Sequence, residues 1–110
     1  MACKRCNDEG MTAHRHVAGG MCFACGRLPG GVVASPAVRA YARERVIGRL
    51  LGLLRRAEQE RAAGTLAAWW ADVRDTSDDG SPGVRQVVAA APEDVATRAR
   101  AAFGKLGLAV

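Results

Sequence analysis

The spacing of apolar residues predicts a long α-helix over residues 36–63. Within this range apolar side chains recur at steps of three and four residues, which places them along one side of a helix. Ser35 and Pro36 suit the start of the helix, because a hydroxyl can cap the first N–H groups and proline is tolerated in the first turn. The predicted apolar stripe consists of Val46, Ile47, Leu50, Leu53, Leu54 and Ala57.

Shorter helices are predicted after the long one. Residues 66–75 have helical spacing, and residues 75–83 have the Asp, Ser and Gly content of a loop. Residues 84–91 fit a helix or a short strand, and we predict a helix because Ser81-Pro82 repeats the start of the first one. A last helix is predicted over residues 92–105, where early acidic residues favour the helix dipole. Its expected inward residues are Val95, Ala99, Ala102, Phe103 and Leu106.

The first part of the chain has no helical periodicity. Alternation over residues 14–17 predicts one strand of a short hairpin, and Pro29-Gly30-Gly31 interrupts regular structure. The sequence therefore predicts a mainly α fold. A zinc-knuckle or short-hairpin module over residues 1–30 is joined by a connector, residues 31–35, to a helical unit of three to four helices over residues 36–110. We expect the helical unit to keep part of its structure without the module.

The cysteines predict a structural zinc site. They form two C-x-x-C pairs with fifteen residues between them, a spacing typical of four-cysteine zinc sites. Disulfides or a redox pair are the alternatives. No apolar segment of signal-peptide length precedes the pairs, which favours a reducing cytoplasm and metal-bound thiolates. The predicted ligands are Cys3, Cys6, Cys22 and Cys25.

Residues close to the cysteine pairs fit this interpretation. Asn7 and Gly26 directly follow the second cysteine of each pair, where a positive φ lets backbone N–H groups point at the sulfurs. His14 and His16 could replace a cysteine as ligands. Four thiolates already complete a tetrahedral shell, so we expect both histidines to lie at the surface or beside the site.

The two knuckles resemble those of known zinc modules. Residues 6–10 and 25–30 are similar to the C-x-x-C-x-G-x-G knuckles in the cysteine-rich region of J-protein chaperones. The run from His16 to Gly26 resembles a zinc module of small bacterial and phage proteins. The resemblance covers residues 3–30 and implies a zinc fold in a cytoplasmic setting. Two knuckles without a J-domain imply no chaperone activity.

Basic charge is concentrated on the long helix. The chain has a formal net charge of +5, and residues 36–64 contain seven Arg and three Glu. An arginine face can contact phosphate, lie on a membrane surface or simply be solvated. We predict contact with DNA or RNA through Arg45, Arg49 and Arg56.

The adjacent residues Trp69 and Trp70 suggest a second binding surface. They lie about 100° apart on a helix, so one can be core while the other is partly exposed as a protein or base contact. Alternatively, both fill the seam between the helices and the zinc module.

These patterns favour a non-enzymatic protein. The sequence contains no phosphate-binding glycine loop, nucleophile elbow or H-E-x-x-H motif, and four cysteines leave no open metal position. No apolar run approaches the length of a membrane span. We therefore predict a cytoplasmic nucleic-acid-binding or regulatory zinc module. The alternative is a protein-interaction adaptor or inhibitor of the phage type that does not bind nucleic acid.

Overall fold

Four α-helices follow an N-terminal cysteine-rich region in the computed structural model, which describes residues 2–12, 15 and 17–110. The prediction of a mainly α fold is confirmed, and the described residues contain two isolated β-bridges but no sheet. His14 and His16 lie outside the described residues, as does most of the strand predicted around them. The helices are α1 (Pro36–Ala63), α2 (Leu66–Val73), α3 (Val84–Ala90) and α4 (Glu93–Lys105).

The ends of α1 follow from local chemistry. The Ser35 side chain accepts a hydrogen bond from the Val38 N–H at 3.2 Å, which confirms the predicted cap. Gly64 ends the helix in the left-handed conformation at φ 78°, and its N–H donates to the carbonyls of Glu60 and Arg61. Neither α1 nor any other helix in the described part of the chain is long and apolar enough to cross a membrane.

The helix predicted over residues 84–91 forms as α3, but Ser81-Pro82 does not provide its start. The helix begins at Val84 after Gly83, and Ser81-Pro82 does not cap it. Pro82 instead forms a β-bridge with Thr76, and the Gly83 N–H donates to the Asp75 carbonyl at 3.0 Å. Residues 81–82 are therefore used to close the loop that precedes the helix. A Cβ at residue 83 would overlap the Asp75 carbonyl, so this closure requires glycine.

The core lies where α1, α3 and α4 meet. Val46, Leu50 and Ala57 of α1 are buried, which confirms the predicted stripe. Phe103 of α4 is also buried, whereas the predicted inward residues Ala102 and Leu106 are only partly buried. The other buried members of this cluster are Val17, Val84, Val87, Val88, Ala90, Ala91, Val95, Ala96, Ala99 and Leu108.

The cysteine-rich region packs directly on this core. Val17 lies between the two cysteine pairs in sequence and belongs to the same cluster as Val46 and Val87. Further along, two backbone hydrogen bonds, Ala34 N–H to Gly26 O and Leu28 N–H to Val32 O, both at 2.7 Å, form an antiparallel bridge between Arg27 and Val33. Most of the predicted connector is thus hydrogen-bonded to the module. The division of the chain at residues 31–35 stays a prediction.

Candidate metal centre and basic helix face

The two cysteine pairs have the same backbone geometry. In the first loop the Asn7 N–H donates to the Cys3 carbonyl at 2.8 Å, and in the second the Gly26 N–H donates to the Cys22 carbonyl at 2.6 Å. Asn7 has φ 53° and Gly26 has φ 78°, so the positive φ predicted at both positions is confirmed. Each loop therefore turns its two sulfurs towards one point.

The four sulfurs form a cluster of the size that one metal ion requires. All four Sγ atoms lie within 4.8 Å of one another. The Cys3 and Cys22 sulfurs are 3.9 Å apart, and the Cys6 and Cys25 sulfurs are 3.4 Å apart. Metal–sulfur bonds of about 2.3 Å in a tetrahedron place the sulfurs about 3.8 Å apart. The four cysteines are free thiols, and their arrangement fits a tetrahedral metal ion.

Backbone hydrogen bonds lower the pKa of these thiols, whereas burial raises it. Hydrogen bonds from the backbone of Cys6 and Arg5 lower the pKa of Cys3 to about 7. Burial raises the pKa of Cys25 to about 12 and also raises the pKa of Cys22. A cation among the sulfurs would favour the thiolate form and so offset the cost of burial.

Arg39 of α1 supports the second cysteine loop from the helical side. Its Nη2 donates to the Cys25 carbonyl at 2.8 Å, and its guanidinium lies where a Cβ of residue 26 would be. The Arg39 Nε is buried without a hydrogen-bond partner in the described structure. A guanidinium in this position places positive charge beside a cluster that becomes negative when it binds metal. No sequence pattern indicates the role of Arg39, because that role depends on how α1 packs against residues 25–26.

Arg5 joins the first cysteine loop to α3. Its Nη2 donates to the carbonyls of Ala89 and Ala91, both at 2.6 Å. These carbonyls belong to the C-terminal end of α3, where a positive charge is favoured by the helix dipole. The loop is closed internally by Asp8, whose carboxylate accepts from the Cys3 N–H at 3.0 Å and lies 3.5 Å from Arg27 Nε.

The three arginines predicted to contact phosphate have different surroundings. Arg45 lies over the ring of Tyr41, with its Cζ 5.7 Å from the ring centroid, and Arg49 donates to the Pro82 carbonyl at 2.9 Å. Both line a groove next to the cysteine-rich region. Arg56 lies about 10 Å further along α1 and pairs with Glu60 at 2.7 Å. The structure therefore brings two of the three together.

Neither tryptophan is a core residue. Trp69 and Trp70 are both half-buried and both pack against the main core cluster, so neither is fully inside. The physical reason is that α2 lies on the outside of the core and buries none of its residues completely. The Trp70 ring centroid is 6.3 Å from that of Trp69 and 5.9 Å from that of Phe103.

Comparison with known protein families, curated proteins and solved structures found no match for this chain. The resemblance of its cysteine loops to J-protein and phage zinc modules is therefore limited to the cysteine motif. Functional assignment depends on the geometry of the cysteine cluster and of the helix face beside it.

Proposed function

We propose that the protein is a non-enzymatic, zinc-stabilised module that binds nucleic acid through the basic face of α1. One observation supports this most: Arg45 and Arg49 are exposed on successive turns of α1, and neither has a carboxylate within salt-bridge distance in the described part of the chain. Arg43 and Arg56 on the same helix are each paired with one. Unpaired guanidinium groups on adjacent turns suit contact with successive phosphates.

The proposed metal is zinc, held by Cys3, Cys6, Cys22 and Cys25. Thiolate ligands in a tetrahedron favour zinc among common cellular metals, and four of them leave no position for a substrate. The metal role is therefore structural. Elemental analysis of protein purified under reducing conditions should find one zinc per chain. Cys22→Ser should lose it, whereas His14→Ala and His16→Ala should retain it.

Salt dependence of binding tests the nucleic-acid proposal. Random-sequence DNA and RNA should bind with an affinity that falls steeply as salt rises, because each phosphate contact releases a counterion. The double variant Arg45→Gln, Arg49→Gln should reduce the log–log slope by about two units on duplex DNA and weaken all sequences alike. Arg56→Gln is the matched control, since Arg56 is already paired with Glu60. Failure of DNA and RNA to bind even at low salt would refute the proposal.

A second candidate function is favoured by α2. Seven of its eight residues are apolar, none is fully buried, and Trp69 and Trp70 lie on it. A partly exposed apolar helix with half-buried tryptophans suits contact with a protein partner. In that case the protein is an adaptor or inhibitor with negligible affinity for nucleic acid at physiological salt. Trp69→Ala should then abolish partner binding, and its circular dichroism should still show the helical fold, although thermal unfolding shifts downwards because Trp69 packs against the core.

A further inference from the structure

The groove beside the cysteine-rich region combines an aromatic surface with positive charge. It lies between α1, α3 and the short 3-10 turn Ala18–Gly20, and it encloses about 630 Å³. Its floor is apolar and consists of the buried residues Val17, Ala42 and Val87. Its lining also includes Tyr41, Arg45 and Arg49 from successive turns of α1, together with Ala18, Gly19, Val38 and Val46.

Tyr41 is unusually exposed for a large side chain in this molecule. It is 62% exposed, although its neighbour Ala42 on the floor of the groove is buried. The Arg45 guanidinium lies over the ring and donates to the Tyr41 hydroxyl at 3.3 Å. The guanidinium is thus held against the ring, and most of the Tyr41 side chain stays accessible to solvent. Aromatic rings and guanidinium planes are the groups on which unpaired bases stack in proteins that bind single strands.

Arg49 adds the charge that such a ligand needs. It lies one turn beyond Arg45, and its contact with the Pro82 carbonyl uses Nη2 and leaves other N–H donors free of any described hydrogen bond. None of the described residues that line the groove carries a carboxylate. A base in the groove would therefore have guanidinium groups within reach of its phosphate and no carboxylate among the described lining residues.

We propose that this groove binds single-stranded nucleic acid, with an unpaired base against Tyr41 and the adjoining phosphates at Arg45 and Arg49. The inference rests on the proposed function and specifies its ligand. A duplex keeps its bases stacked inside, so it can reach the arginines only from outside the groove. The ligand chemistry is a nucleoside phosphate unit, and we assign it to a strand because two guanidinium groups on successive turns can contact more than one phosphate.

The test compares labelled oligonucleotides by fluorescence anisotropy in the full-length, zinc-loaded protein. Single strands should bind at least about ten-fold more tightly than the same sequence as a duplex, given the contribution of base stacking to affinity. Tyr41→Ala should weaken single-strand binding by about ten-fold and leave duplex binding unchanged. Tyr41→Phe keeps the stacking ring and should retain single-strand affinity within about two-fold.

Leu51→Ala is the control for truncating an exposed side chain of α1. Leu51 is 55% exposed and lines a different groove, against α4, so its loss should alter neither affinity. Thermal unfolding of each variant establishes that the fold is retained, and ultraviolet crosslinking should attach a single strand at Tyr41. Crosslinking elsewhere, with full affinity in Tyr41→Ala, would overturn the inference.

The outcomes separate this inference from the broader proposal. Equal binding of single strands and duplex, with no effect of Tyr41→Ala, overturns the groove inference and leaves the basic helix face as a phosphate contact. Equal affinity for a mononucleotide and an oligonucleotide overturns the strand assignment in favour of a free nucleotide. Absence of binding to any nucleic acid overturns both the inference and the proposed function.

Discussion

Gly26 is the residue on which the packing of the second cysteine loop against α1 depends. Its φ of 78° is in the left-handed region, and the Arg39 guanidinium occupies the place of its missing side chain. Alanine at this position introduces backbone strain of about 1–2 kcal/mol and also displaces Arg39. We expect Gly26→Ala to lower the free energy of unfolding by about 2 kcal/mol or more, measured by denaturant titration with zinc present.

Asn7 supplies the control for that substitution. It occupies the equivalent position in the first loop, is exposed and has φ 53°. Asn7→Gly keeps the backbone conformation and should be neutral or slightly stabilising, because glycine adopts positive φ without strain. Equal stability of Gly26→Ala and the unmodified protein would show that the loop does not depend on the contact with Arg39.

At the scale of elements, Arg5 connects the first cysteine loop to α3. Arg5→Gln removes the two hydrogen bonds to the Ala89 and Ala91 carbonyls. It should lower the free energy of unfolding by about 1–2 kcal/mol. Lys4→Gln removes the same charge from the neighbouring position. Lys4 is exposed, and its side chain makes no hydrogen bond or salt bridge to the described residues, so this variant should unfold like the unmodified protein. Indistinguishable unfolding of the two variants would contradict the role given to Arg5.

The elements themselves were largely predictable, whereas their contacts were not. Ser35, Pro36 and Gly64 determine α1 through interactions within one or two helical turns, which a sequence pattern can indicate. The cysteine site was predictable for the same reason, since C-x-x-C is a local geometry. The helix α3 was predicted, but the role of Ser81-Pro82 as its start was mispredicted because Pro82 pairs with Thr76 across a loop. Arg5, Arg39 and the groove at Tyr41 depend on tertiary packing, which no local pattern contains.

At the scale of the whole molecule, the cysteine loops pack on the helices, so we expect metal binding and helix packing to be coupled. Val17 lies in the main core cluster, and Arg5 and Arg39 link the cysteine loops to α3 and α1. Zinc in small modules contributes about 10–16 kcal/mol of folding free energy. The total stability of a typical domain is no larger, at about 5–15 kcal/mol. Removal of the metal should therefore weaken the helical unit as well as the cysteine-rich region.

We expect chelation to lower the melting temperature and reduce the cooperativity of helix unfolding, followed by circular dichroism. Part of the helical signal should persist, because α1 is 28 residues long and has its own caps. Cys22→Ser without chelator should unfold like the chelated protein. Adding zinc back should restore the original transition of the chelated protein but not that of Cys22→Ser. An unchanged helical transition after verified metal loss would show instead that the helices fold independently of the site.

The hydrogen bonds of Arg5 also have a consequence for the order of events during synthesis. They join residues that are 84 and 86 positions apart in the chain. A ribosome delivers the last cysteine roughly 3–13 seconds before the end of α3 at about 5–20 residues per second. Throughout that interval α1 is being made, but the first cysteine loop lacks the α3 carbonyls that Arg5 contacts, and metal capture is an interaction already open to it. We therefore expect the supply of zinc during translation to determine how much of the newly made chain reaches the folded state.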